Sequence, residues 1–147
     1  MTQTLGQRAP DQTMCVRYGG GERYEIEVRD HTVVVDQPVD AGGSDTAPMP
    51  TELFVASLAG CVAFYAGRYL TRHGLFREGL SVAVTYRLAD DRPARVADIH
   101  LTVGVPEAMP AHQRPALHAV VQHCTVHNSL INPPTVRVEL TREPREP

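Results

Sequence analysis

The stretch Pro48-Met-Pro-Thr-Glu-Leu-Phe-Val-Ala-Ser-Leu-Ala-Gly-Cys-Val-Ala-Phe-Tyr-Ala-Gly-Arg-Tyr-Leu-Thr-Arg-His-Gly74 is the longest run in the chain with a helical pattern throughout. Pro50 suits a first helical turn, where no backbone hydrogen is needed for an internal bond. Gly74, following Arg72 and His73, suits the end, where a left-handed residue closes the helix and cations face its carbonyl groups. Between these marks Leu53, Phe54, Val55, Leu58, Val62, Phe64 and Tyr65 put apolar groups on every face, the pattern of a helix buried all round. Such a helix is about 35 Å long and needs other elements wrapped around it. Arg68, Thr71 and Arg72 bring its second half out into water. The run is long enough to cross a bilayer, but Glu52, Ser57, Gly60 and Gly67 lower its hydrophobicity, and it reads as buried in protein.

The remaining elements are short. Thr13 to Tyr18, Arg23 to Arg29 and Thr32 to Asp36 read as three strands of a meander. The second alternates Tyr24, Ile26 and Val28 with charged residues, the period of a half-solvated sheet. Gly19-Gly-Gly21 supplies the first turn and Asp30-His31 the second. Gln37 to Met49 is a loop rich in glycine, proline and small polar residues, and its length draws attention to it as a functional segment. After the long helix, Leu80 to Leu88 and Arg95 to Val105 alternate as a hairpin around Asp90 to Pro93. Ala111 to His123 reads as a second helix with Pro115 in an early turn, and Val126 to Ile131 as a short helix or turn. Thr135 to Leu140 reads as a closing strand. Residues 1–12 and 141–147 read as mobile tails. The reading is a single α+β domain over 1–147.

Composition narrows the chemistry. A chain of 147 residues with 42% hydrophobic content can build one core, burying roughly 70% of its extended surface. A net charge of -3 leaves no basic footprint for nucleic acid. All 14 basic residues are arginine, which excludes a Schiff-base lysine and a Walker-type phosphate loop. The N-terminal residues lack the apolar run of a secretory signal, which points to the cytoplasm and to reduced thiols. Cys15, Cys61 and Cys124 are an odd number and make no disulfide framework. Cys15 reads as packing. His118, His123, Cys124 and His127 crowd one segment, but His-Cys-x-x-His lacks the second pair a zinc site needs, so no metal is assigned. His123 or His127 is read instead as adjusting Cys124 or closing a pocket.

Pro50-Thr-Glu-Leu-Phe-Val-Ala-Ser-Leu-Ala-Gly-Cys61, followed about sixty residues later by Cys124-Thr-Val-His-Asn-Ser-Leu130, resembles the OsmC-like family, which includes the organic hydroperoxide resistance proteins. The order of elements agrees over roughly 13–141. The resemblance implies an OsmC-like fold: curved antiparallel sheets wrapped around a long central helix, in an intertwined homodimer. It implies a thiol-dependent peroxidase in which Cys61 attacks an organic hydroperoxide and Cys124 resolves the sulfenic acid as a disulfide. An external dithiol, such as a lipoylated protein, then reopens that bond, and no cofactor takes part. The family places an activating arginine after a glycine pair, which maps onto Arg23, with Arg17 in reserve. Its peroxidase members carry glutamate directly after the helix-opening proline; here Thr51 stands there and Glu52 follows. Position 52 lies roughly 14 Å along the axis from Cys61, so Glu52 does not reach it within one straight helix. Phe54, Leu58, Phe64 and Tyr65 lie on the Cys61 side of the helical wheel and are candidate walls of a substrate pocket. The alternative is a binding protein for a small apolar ligand on the same scaffold, without efficient peroxidase activity.

Overall fold

The computed structural model of the chain describes residues 13–142. The tail readings at 1–12 and 143–147 lie outside the described residues. The described chain forms two compact units, one made of residues up to 49 together with 139–142, the other of Pro50–Val138.

In the first unit β1 (Met14–Tyr18), β2 (Tyr24–Val28) and β3 (His31–Val35) form an antiparallel meander in the order β1-β2-β3. The glycine turn is as expected. Gly20 and Gly21 take positive φ, and the Gly19 amide donates to the Arg23 carbonyl at 2.9 Å. The second turn sits one residue earlier than expected. Val28 pairs with His31, so Arg29 and Asp30 form the turn, with Arg29 at φ 52°. The loop that follows has its own organiser. Asp36, 2% exposed, accepts from the Gln37 amide at 2.8 Å and from the Thr46 amide and hydroxyl at 3.0 and 2.7 Å. Around it Val39–Ala41 makes one 3-10 turn, and Gly43 lies so near the Gln37 carbonyl that an added Cβ would stand 1.9 Å from that oxygen.

The second unit is built on α1 (Pro50–Arg72), and Gly74 at φ 69° ends it as expected, with the Leu75 amide returning to the Leu70 carbonyl at 2.9 Å. β4 (Ser81–Leu88) and β5 (Val96–Gly104) make the hairpin. A 3-10 turn at Ala111–Gln113 leads into α2 (Arg114–Val121), which has Pro115 in its first turn, and α3 (Thr125–Ile131) follows. Leu58, Val62, Ala66, Tyr69 and Leu70 of α1 join Met109, Leu117, Val121 and Cys124 in one buried cluster, with Val82 of β4 and Ile99, Leu101 and Val103 of β5 packed against it. By length and composition α1 could cross a membrane, yet this stripe makes it the core helix of the unit.

Two expectations fail here. The helix α1 is not buried all round: Phe54 and Phe64 are 42% and 54% exposed. Apolar residues on every face show only that every face tolerates burial, and this unit supplies neighbours for one. The closing strand over 135–140 is absent; the segment is irregular, with Val136, Val138 and Leu140 exposed. Alternation sets which side chains share a face, but a strand also needs an edge to receive its backbone hydrogen bonds.

The three donors on Asp36 hold its carboxyl down to about 2, chiefly through the Thr46 hydroxyl and amide, then the Gln37 amide. A folded-state value below the ordinary 3.8 means the stabilisation is complete above that value and is lost as pH falls toward 2. A carboxyl-carbon NMR titration is expected to place Asp36 near 2, and Asp36→Asn to speed exchange of the Thr46 amide at neutral pH.

Candidate active site

Cys61 comes from the middle of α1, where the helix passes under α3, and Cys124 from the residue that starts α3. Cys124 is fully buried and caps α3: its Sγ accepts from the His127 amide at 3.4 Å. Cys61 is half-buried and packs against the cluster to which Cys124 belongs, and both thiols are free. Burial pushes the Cys124 thiol above its ordinary value, and Cys61 beside it adds to the rise; the amides of His127 and Val126 pull against it. Cys124 is thereby held as the neutral thiol.

The four proposed pocket walls separate. Phe54 and Leu58 line a cavity of about 850 Å³ with Val62, Leu101, Leu117 and Val121, bounded by α1, β5, α2 and α3. Neither sulfur lines it. Tyr65 lies instead on a smaller hollow of about 320 Å³ with Arg68, Tyr69, Arg72 and His73. Phe64 is edge-on to Tyr65, its ring centroid 5.8 Å away, and carries the Arg68 guanidinium 5.5 Å above its own ring. A helical wheel ranks residues by angle, but α2 and α3 divide that angular sector into separate spaces.

Arg23 belongs to the meander unit, where it pairs with Glu25 at 2.9 Å; its Nε is buried and has no partner among the described residues. Arg17, the reserve candidate, pairs with Glu27. Glu52 occupies the first turn of α1 and is exposed, nine positions before Cys61. Among the described residues no three of His, Cys, Asp and Glu converge on a point that could hold a metal ion. His127 acts on Cys124 through its main chain, and it also lines the larger cavity with Arg114 and His118 of α2. Sequence reading missed Thr125, whose hydroxyl meets the Tyr65 hydroxyl at 3.1 Å. It also missed the capping role of Cys124, although a polar side chain three residues before an amide donor is the ordinary N-cap spacing.

The family model described as OsmC-like protein matches residues 42–139. This chain belongs to the OsmC-like family. Among solved structures, a putative osmotic stress induced and detoxification response protein from Psychrobacter arcticus is similar at 25% identity and TM-score 0.74, covering 84% of this chain and 90% of that one. An OsmC like protein from Mycoplasma pneumoniae shares the fold at 13% identity and TM-score 0.72, over 86% and 91% of the two chains. An organic hydroperoxide resistance protein OsmC from Legionella pneumophila does so at 18% identity and TM-score 0.64, over 84% and 91%. No curated protein matches the sequence. The fold expected from the resemblance, α+β with antiparallel sheets, is the fold observed.

The difference in burial is open to measurement. Alkylation of the native protein by iodoacetamide at pH 8, followed by peptide mass mapping, is expected to modify Cys61 at least about tenfold faster than Cys124, because the attacking species is an accessible thiolate.

Proposed function

We propose that this protein is a thiol-dependent peroxidase that reduces organic hydroperoxides, with Cys61 as nucleophile and Cys124 as resolving thiol. The observation that carries the reading is that two free thiols from distant parts of the sequence share one core cluster, Cys124 fully buried within it and Cys61 half-buried against it, in a chain of the OsmC-like family. The Cys61 thiolate attacks the distal peroxide oxygen; an S–O bond forms, the O–O bond breaks, and the alkoxide leaves as alcohol after taking a proton. Cys124 then condenses with the sulfenic acid, releasing water and closing the Cys61–Cys124 disulfide. An external dithiol, with a lipoylated protein as one candidate, restores both thiols by exchange. A chain without lysine must stabilise the thiolate with arginine or histidine, and the position matching the family's arginine is Arg23.

The cavity favours a second reading. An apolar space of about 850 Å³ with neither sulfur in its lining suits a binding protein for an apolar ligand. Consumption of cumene hydroperoxide with dithiothreitol as reductant separates the two. The wild type is expected to turn over, and Cys61→Ser to lose activity by about a thousandfold or more. Turnover unchanged in Cys61→Ser, or absent from the wild type, removes the peroxidase reading.

The chain is further proposed to work as a homodimer. Phe54 and Phe64 lie open on α1, residues 135–140 carry a strand pattern without a strand, and β4-β5 is a two-stranded sheet. A second copy would supply cover for the first and an edge for the other two. Light scattering after size exclusion is expected to give twice the mass of one chain; a monomeric mass overturns the dimer.

A further inference from the structure

The two elements that carry the thiols are joined a second time. Tyr65 stands one helical turn beyond Cys61 on α1, and Thr125 directly follows Cys124 at the start of α3. Their hydroxyls meet at 3.1 Å. We propose that the Tyr65–Thr125 hydroxyl bridge is the positioning device that presents Cys124 to Cys61 for disulfide formation. This rests on the pairing of those two cysteines advanced above, not on the identity of the oxidant.

The reason lies in α3. A helix of seven residues is not stable by itself and takes its position from what holds its ends. Its first turn is held by the Cys124 cap, by the Ser129 hydroxyl donating to the Thr125 carbonyl at 2.9 Å, and by Tyr65. The first two bonds are internal to the segment; Cys124 and Val126 pack it on the core without directional bonds, and the bond to Tyr65 ties it to α1 directionally. Burial of the Cys124 thiol supplies an approximate location, whereas sulfur–sulfur bonding needs a narrow range of separation and dihedral angle. A directional bond one residue from one sulfur and one turn from the other restricts that freedom. Tyr65 suits the task because its ring, packed edge-on by Phe64, carries the hydroxyl on a stiff arm.

If the bridge favours the geometry of the disulfide, the disulfide must favour the bridge to the same degree, since the two are linked in one cycle. That distinguishes positioning from plain stabilisation. A bond that stabilises reduced and oxidised protein equally cannot move the ratio between them.

The test needs no peroxide. Full-length protein is equilibrated in glutathione buffers of varied ratio. Each turn of the exchange oxidises the two cysteines to a disulfide and reduces one glutathione disulfide to two glutathiones. The Cys61–Cys124 fraction is read by thiol blocking and mass mapping, which sets Cys15 aside. Tyr65→Phe and Thr125→Val are expected to lower the effective concentration of the pair by roughly three- to tenfold, the range of a single hydrogen bond. Thr125→Ser, which keeps the hydroxyl, is expected to restore it to within about twofold. Thr125 is exposed, so its valine variant removes the bond from the α3 side without disturbing the α1 core. Variants with the wild-type ratio, or a higher one, overturn the positioning role even if their melting temperatures fall. A wild type that forms the disulfide at no ratio overturns both this role and the pairing beneath it. A wild type that forms it but consumes no hydroperoxide sinks the peroxidase reading alone.

Discussion

The second unit depends on one burial: the stripe of α1 running from Leu58 through Val62 and Ala66 to Leu70, closed by Leu117 and Val121 of α2 and by the inner face of β5. Ala66 and Leu70 are wholly removed from water. A helix this apolar cannot stay in water, and the elements that cover it are set in place by doing so. Gly67 lets the Arg77 side chain lie within 3.3 Å of where a Cβ would be, and Arg77 Nε donates to the Thr71 hydroxyl at 2.9 Å, fixing the chain as it leaves the helix. Because α1 cannot turn about its axis without exposing this stripe, Cys61 is held toward α3 by packing that has nothing to do with sulfur.

The chemical difference between the thiols follows from the same packing. Cys124 sits inside the core cluster, where ionisation is opposed by burial, and its sulfur is engaged by a helix-start amide. Cys61 sits at the cluster's border. In a two-thiol cycle the attacking sulfur must ionise and meet an oxidant, whereas the resolving one must wait as a thiol until an electrophilic sulfur appears beside it. The fold sets the two cysteines at different depths, the arrangement that the proposed cycle would use.

The exposed apolar groups carry their own meaning. Single surface hydrophobics are ordinary, but Phe54 and Phe64 lie on the same helix as the nucleophile candidate, and Phe54 also edges the large cavity. They leave apolar surface on α1 that the elements of its own unit do not cover. The Asp36 loop belongs to a different category. Its carboxylate takes the place of regular structure, satisfying backbone donors that neither helix nor sheet could serve.

What the sequence determined by itself was local. Pro50 and Gly74 bounded α1 because each residue's own backbone dictates where a helix begins and ends, and period-two alternation marked β2 and the β4-β5 hairpin because side chains on a pleated strand must point to opposite faces. The cysteine-bearing motifs pointed to the OsmC-like family, and the match over residues 42–139 agrees. What only the tertiary structure decided were the relations between segments. Alternation at 135–140 could not say whether an edge would receive it, and the angular position of Phe54, Leu58, Phe64 and Tyr65 could not say that they face different spaces. Asp36 gave no local sign that Thr46 would fold back onto it, nor Tyr65 that Thr125 would meet its hydroxyl. Each of those facts is a relation between groups separated in the chain, and such relations are fixed only when packing brings one segment of a unit against another.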